Sequence, residues 1–400
     1  MKNLYHQSTI EIPKKLLFFL ALSAGLGVAN VYYLQPALEL IQTEFNAPPE
    51  KIGLIPTFTQ IGYAAGMLLL APLGDILQRK NMIFTKLLLL SFFLLLAGIS
   101  PNLYILCVVG IAIGLLSSVG QDFVPIAAQL SPEAKKGHTV GIVTTGILTG
   151  ILLSRTFGGV ISDSFGWRTM QLTAAVLMLI IAVISRSLLP SLPPLNEGTK
   201  YSELLKSLWD LIKQHRSLKL AITTQAFLAS TLGAFWSTLA MVIASPPFNE
   251  TATIAGAFGI AGAAGAIGAT IFGKFADAKG PLLAIRIGCL LVTISFSVMW
   301  VLNGSLIMLA IGAMTFDLGV MAAFVSHQFI VNSIEPQARS RLNGLLMTGA
   351  MVGMAVGASA GSYAWGQFGW SGICVFSIIS SVLGLILSFL HRNYGTNRHG

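Results

Sequence analysis

Charge is what this sequence has least of. Only 10% of its 400 residues are Asp, Glu, Lys or Arg, while 54% are hydrophobic and mean hydropathy is +0.78. Soluble domains carry about 25% charged residues, so a surface facing water all round is excluded. Fibrous, disordered and disulfide-rich secreted classes fall with it. The three cysteines, Cys107, Cys289 and Cys374, are far apart in apolar runs. With no CxxC and no Cys/His cluster, neither a disulfide framework nor a metal site is expected. The sequence also lacks GxxxxGK[ST], HExxH, a GxSxG elbow and a strand-borne Rossmann fingerprint. ATP as the energy source, a cofactor and enzyme chemistry are therefore not expected.

What the chain has in quantity is apolar length. Runs of about 20 residues recur, enough to cross roughly 30 Å of hydrocarbon as a helix, whereas the ten-residue alternation of an outer-membrane barrel is missing. Twelve spans are predicted, at residues 15–40, 51–73, 82–100, 103–130, 139–161, 169–189, 218–245, 252–273, 282–300, 305–331, 341–363 and 370–390. Lys14 and Lys15 precede an apolar stretch as in a signal peptide, but that stretch runs on to about residue 40, so cleavage is not expected. The net charge of +9 does not point to nucleic acid. With the N-terminus inside, all but three of the 24 Lys and Arg fall at cytoplasmic ends or loops. The exceptions are Lys51, Arg168 and the intramembrane Arg155. This positive-inside pattern places both termini in the cytoplasm. Residues 191–217 form the longest polar stretch. Within it Leu204, Leu205, Leu208, Leu211 and Ile212 recur at helical spacing with lysines between them, which predicts an amphipathic helix at the cytoplasmic interface.

That stretch divides an N-terminal bundle (1–190) from a C-terminal bundle (218–400), and the two resemble each other at an offset near 203. Phe45-Asn46 matches Phe248-Asn249, and Phe165-Gly166-Trp167 matches Phe368-Gly369-Trp370. Asp75 aligns with Asp277. Gly146, Gly150, Ser154 and Gly158 align with Gly349, Gly353, Gly357 and Gly361. Parallel repeats about an axis along the membrane normal are a transporter architecture.

On this repeat, and on the first-span pattern Ala29-Asn30-Val31-Tyr32-Tyr33-Leu34-Gln35-Pro36, the sequence resembles bacterial efflux-type members of the major facilitator superfamily. The resemblance implies an all-α membrane protein of twelve transmembrane helices in two pseudo-symmetric six-helix bundles. The segment Gly74-Asp75-Ile76-Leu77-Gln78-Arg79-Lys80 is similar to the family's cytoplasmic signature, keeping Asp75, Arg79 and Lys80; its second copy keeps Asp277 but has Pro281 where an Arg is expected. The implied role is a conformational latch. Asp75 would meet the dipole end of span eleven, and Arg79 a partner in span four, either Gln129 or Asp122. Span five resembles the family's antiporter signature, but with Ser154 and Arg155 in place of Gly and Pro. Its glycines at four-residue intervals also suit close helix packing.

Arg155 is costly in a span unless paired, and it does not deprotonate. Counting from the hairpin turns near residues 134 and 336, Arg155 and Asp317 agree in depth within about 3 Å at 1.5 Å per residue. The same count sets Asp122 and His327 nearer the cytoplasm. Two pairs follow as proton-coupling or gating candidates, Arg155 with Asp317 and Asp122 with His327; static structural pairs are the alternative. The resemblance implies that spans one, four, seven and ten line a substrate cavity, which selects Asn30, Tyr32, Gln35, Gln121, Trp236 and Gln328. Tyr33 and Trp236 suit an interfacial belt equally well. Met347, Met351 and Met354 read as packing.

The expected function is secondary transport by alternating access: proton-coupled export of a small amphiphilic drug or metabolite across the inner membrane. The expected unit is a monomer in the lipid bilayer. A proton-coupled importer or facilitator remains the alternative, and a transporter-like receptor a further one.

Overall fold

The computed structural model describes residues 12–132, 135–194, 200–262, 271–276 and 278–391, which contain helices and no strand. Nine of the described helices are long and apolar enough to cross a membrane: Pro49–Ile76, Arg79–Gly98, Leu103–Leu130, Lys136–Phe165, Trp167–Leu188, Arg216–Ala244, Pro281–Val301, Leu306–Ile334 and Arg339–Ser388. The last is two crossings joined at Gly369, whose backbone leaves the helical region at φ 58° and ψ −149°. The chain starts with Lys14–Ala29, and Ala252–Ala261 begins a further crossing. Together these account for the twelve predicted spans, in two bundles of six.

The repeat is visible in the backbone. Asn46 and Asn249, matched in sequence, both take the left-handed conformation, at φ 45° and 53°. Gly166 and Gly369, within the two Phe-Gly-Trp turns, sit at φ 85° and 58°. Residues that tolerate positive φ thus make the same turns in both halves. Small-residue packing repeats as well. A Cβ at Gly150 would lie 2.3 Å from the Gly25 carbonyl oxygen, so span five lies against span one. A Cβ at Gly353 would lie 2.2 Å from the Ala226 carbonyl oxygen, so span eleven lies against span seven.

Span one departs from a continuous helix. The α-helix stops at Ala29, residues 30–34 form turns, a 3-10 turn covers Gln35–Ala37, and helix resumes over Leu38–Phe45. Pro36 has no N–H to give and sits in the first turn of the restart, where none is needed. Asn30 Nδ2 donates to the Leu26 and Gly27 carbonyls (2.8 and 3.0 Å), satisfying acceptors at the interrupted end. The break turns Asn30, Tyr32 and Gln35 into the interior.

The linker helix Tyr201–Gln214 lies where the sequence places it, but its apolar face meets protein. Leu208 and Leu211 are buried with Leu218, Leu342, Leu345 and Leu346, and Leu68 of span two packs on the same cluster. Tyr201 Oη donates to the Leu69 carbonyl at 2.7 Å. The leucine stripe expected at the bilayer surface instead covers the ends of spans seven and eleven nearest the basic loops.

The two bundles meet most closely at the end opposite the basic loops. Spans five and eight pack through glycine: a Cβ at Gly159 would fall 2.4 Å from the Ala252 carbonyl oxygen. Thr253 Oγ1 donates to Asp163 Oδ2 (2.7 Å), and Thr156 Oγ1 to the Gly256 carbonyl (3.2 Å). Spans two and eleven meet through Thr57 Oγ1 on the Ala355 carbonyl (3.3 Å) and Gln367 Nε2 on Glu50 Oε1 (2.9 Å). Toward the basic end of span five, Gly137 and Gly141 face open space.

Candidate functional site

The broken turn of span one, the half of span five away from the basic loops, and spans seven and ten converge on one buried cation. Arg155 is 5% exposed. Its Nε donates to Gln35 Oε1 at 2.9 Å, and its guanidinium carbon lies 4.2 Å from the Trp236 ring centroid and 4.9 Å from that of Tyr32. Tyr32 belongs to the first bundle and Trp236 to the second, so the guanidinium is sandwiched across the seam. A desolvated cation over an aromatic face is stabilised by about 2 kcal/mol. Backbone contact adds to this, because a Cβ at Gly256 of span eight would lie 2.5 Å from the Arg155 carbonyl oxygen.

Asp317, 7% exposed, faces this cluster from span ten. It interacts electrostatically with Arg155. Among the described residues no Arg155–Asp317 ion pair closes within 4.0 Å, and Asp317 Oδ1 has no partner. The depth count brings the two charges to one site; Trp236 and Gln35 are the groups that engage the Arg155 guanidinium. The arrangement holds a fixed cation beside a carboxylate with a free oxygen, at the surface where the bundles separate.

The second expected pair does not form. Asp122 Oδ2 accepts from Lys86 Nζ at 2.5 Å, with both side chains buried in the first bundle. His327 lies in the other bundle, where Nδ1 meets Gln225 Oε1 at 3.0 Å and the ring centroid is 6.1 Å from that of His391. Depth alone cannot choose between partners in different bundles, and Asp122 takes the cation within its own. Lys86 was legible as the one cation inside the run Phe84-Thr85-Lys86-Leu87-Leu88. Counted from its turn near residue 78, it lies close in depth to Asp122.

The latch residues also differ from expectation. Arg79 pairs with Asp75 within one turn of chain (2.7 Å), and Asp122 lies within electrostatic reach of both. Gln129 Oε1 has no partner among the described residues. Asp75, Arg79, Lys86 and Asp122 thus form one ionic network at the basic end of the first bundle. Lys80 is half-buried at the start of span three. Asp277 lies outside the described residues.

Of the expected cavity residues, Asn30, Tyr32, Gln35 and Trp236 gather around Arg155 or beside it. Gln121 Nε2 instead donates to Tyr63 Oη at 3.1 Å, and Gln328 is half-buried next to His327. Burial beneath Arg155 takes Trp236 out of an interfacial belt.

At the opposite end, Arg168 pairs with Glu44 over the Trp167 ring, whose Nε1 donates to Glu44 at 2.7 Å. Partial burial alone would raise the Glu44 carboxyl, but the Arg168 and Trp167 hydrogen bonds and the Arg168 charge outweigh it and hold it below the usual carboxylate range.

Two like-built helical bundles, closed at one end and carrying an ionic and aromatic cluster at their seam, define a membrane carrier. The family model of the Major Facilitator Superfamily matches residues 17–329. The chain is 34% identical over 391 residues to the transporter YgaY of Escherichia coli O157:H7, covering 97% of this chain and 98% of that one. It is 26% identical to a probable transporter of Streptomyces coelicolor, covering 91% and 85%. Its fold is similar to that of a bacterial homologue of the lysosomal transporter Spinster in an inward-facing, unoccupied conformation, with a TM-score of 0.74 at 14% identity over 97% and 96% of the chains. This protein belongs to the Major Facilitator Superfamily, and it is a membrane-spanning transporter.

Proposed function

We propose that the protein is a proton-coupled antiporter exporting a small amphiphilic drug or metabolite across the inner membrane, with both termini in the cytoplasm. Residues 1–190 and 218–400 rock about the seam, and 191–217 tether them. The observation that carries this reading is the placement of Arg155 and Asp317. Arg155 bridges aromatic rings of both bundles, while Asp317 keeps an unpartnered oxygen beside it. A proton on Asp317 removes the carboxylate that balances Arg155 and weakens the seam. Tyr32 and Trp236 offer aromatic surface at the seam, and Asp317 offers a carboxylate oxygen beside the Arg155 cation, a mixture suited to an amphiphile.

The test is a substrate panel screened by thermal shift on purified protein, followed by flux in proteoliposomes. An inward-directed proton gradient drives export, reversing the gradient reverses flux, and Asp317→Asn retains counterflow while losing the response to pH. Gradient-driven transport unchanged in Asp317→Asn removes Asp317 from coupling. Flux in the same direction as the proton gradient makes the protein a symporter.

A further inference from the structure

Asn30 Oδ1, Gln35 Nε2 and Gln171 Oε1 are buried polar atoms that have no partner among the described residues. All three residues line one small cavity inside the first bundle, between span one, span six and the paired spans two and four. The remaining wall includes Ile55, Pro56, Thr59 and Ile113. Two of the three amides have a fixed orientation. Asn30 Nδ2 is spent on the Leu26 and Gly27 carbonyls, so Oδ1 must be the free end. Gln35 Oε1 is spent on Arg155 Nε, so Nε2 must be the free end. With the Gln171 amide oriented as it is here, the orphaned set is one donor and two acceptors.

A water molecule has the complementary valence, accepting one hydrogen bond and donating two. Among the described residues the three atoms do not pair with one another or with any other protein group. The cavity volume is about 20 Å³, against the roughly 10–15 Å³ that one water needs. Buried waters are held by two to four polar partners, and unpaired polar groups in an apolar interior are otherwise costly.

We propose that Asn30, Gln35 and Gln171 bind a single structural water, accepting from Gln35 Nε2 and donating to Asn30 Oδ1 and Gln171 Oε1. The water fixes the Gln35 amide with its oxygen toward Arg155. Gln171, on span six and away from the seam, is thereby a positioning residue for the Arg155 cluster. The site does not depend on what the protein transports.

The experiment is a pair of measurements on the full-length purified protein. A density map fine enough to show ordered solvent has a peak within hydrogen-bonding distance of all three atoms. X-ray footprinting, in which bound water is split into radicals that label adjacent side chains, marks Ile55 and Ile113 although they are only 2% and 4% exposed. In Gln171→Leu the peak is lost, labelling at both isoleucines drops several-fold, and the Gln35 amide turns away from Arg155 Nε. A well-resolved but dry cavity in the wild type, or amides re-paired directly with one another, overturns the proposal. So does wild-type labelling no higher than that of Phe235 and Phe296, which are fully buried. If Gln171→Leu does not fold, the wild-type map and labelling still decide.

Discussion

Removing Lys86 tests the ionic network in the first bundle most sharply. Lys86 and Asp122 are buried on both sides, at 6% and 4% side-chain exposure, with 2.5 Å between Nζ and Oδ2. Arg79 is nearby but engaged by Asp75. Lys86→Met leaves the Asp122 carboxylate in an apolar core without its hydrogen-bonded cation. Breaking a buried pair from one side costs about 3–5 kcal/mol, whereas replacing both members with packed apolar residues is often neutral or stabilising. The expected pattern is a loss of that size in Lys86→Met, with stability restored to at least the wild-type level in Lys86→Met/Asp122→Leu. The assay is equilibrium unfolding in mixed detergent–SDS micelles, run as a double-mutant cycle. A Lys86→Met variant as stable as wild type, or a double variant no better than the single, refutes the pairing.

Three further outcomes follow from the seam and its rim. Arg155→Lys keeps the charge but loses the planar stack on Trp236 and the Gln35 bond; with about 2 kcal/mol at stake, substrate-specific flux falls roughly thirtyfold, and undiminished flux contradicts the stacking account. Cysteines at 163 and 253, where the native side chains hydrogen-bond at 2.7 Å, crosslink readily in the wild-type background. Adding Gly256→Leu, whose Cβ would lie 2.5 Å from the Arg155 carbonyl oxygen, suppresses that crosslink by holding the bundles apart, as read by gel shift. Glu44 has its folded pKa lowered, so its stabilising contribution is present above the unfolded value of about 4.5 and is lost as pH falls through the folded one. The pair is partly exposed, so Glu44→Gln lowers stability at pH 7 by no more than about 1 kcal/mol, and the difference disappears on acidification; a difference that persists at low pH counts against an electrostatic origin.

The membrane architecture was legible because apolar run length and loop charge are one-dimensional quantities. The repeat was legible for a stricter reason: Asn46 and Asn249, and Gly166 and Gly369, are residue types demanded by left-handed turns, so fold symmetry leaves marks in sequence. Depth along a helix was also readable, and it brought Arg155 and Asp317 to one site. Azimuth was not. Which face of span four Asp122 occupies depends on how spans three and four rotate against each other, and that rotation gave it Lys86 rather than His327. The same limit hid Trp236, whose ring could be assigned to a belt or a site until the partner helix fixed its direction. Span one was read as a continuous helix because its hydrophobicity is continuous; the interruption at residues 30–34 is set by local hydrogen bonding of Asn30 and by Pro36. Gln171 gave no signal, since a lone amide in a span acquires meaning only from the cavity it lines.

Alternating access about the seam is best tested by distances at its two ends, measured together. Spin labels at positions 164 and 251, at the close-packed end, and at 138 and 279, at the basic end, sit on exposed residues. Double electron–electron resonance on wild type and Asp317→Asn should give two distances for each pair, with the short distance at one end accompanying the long one at the other, and a population shift in the variant. A single distance at both ends, unmoved by pH and by the substitution, contradicts the account.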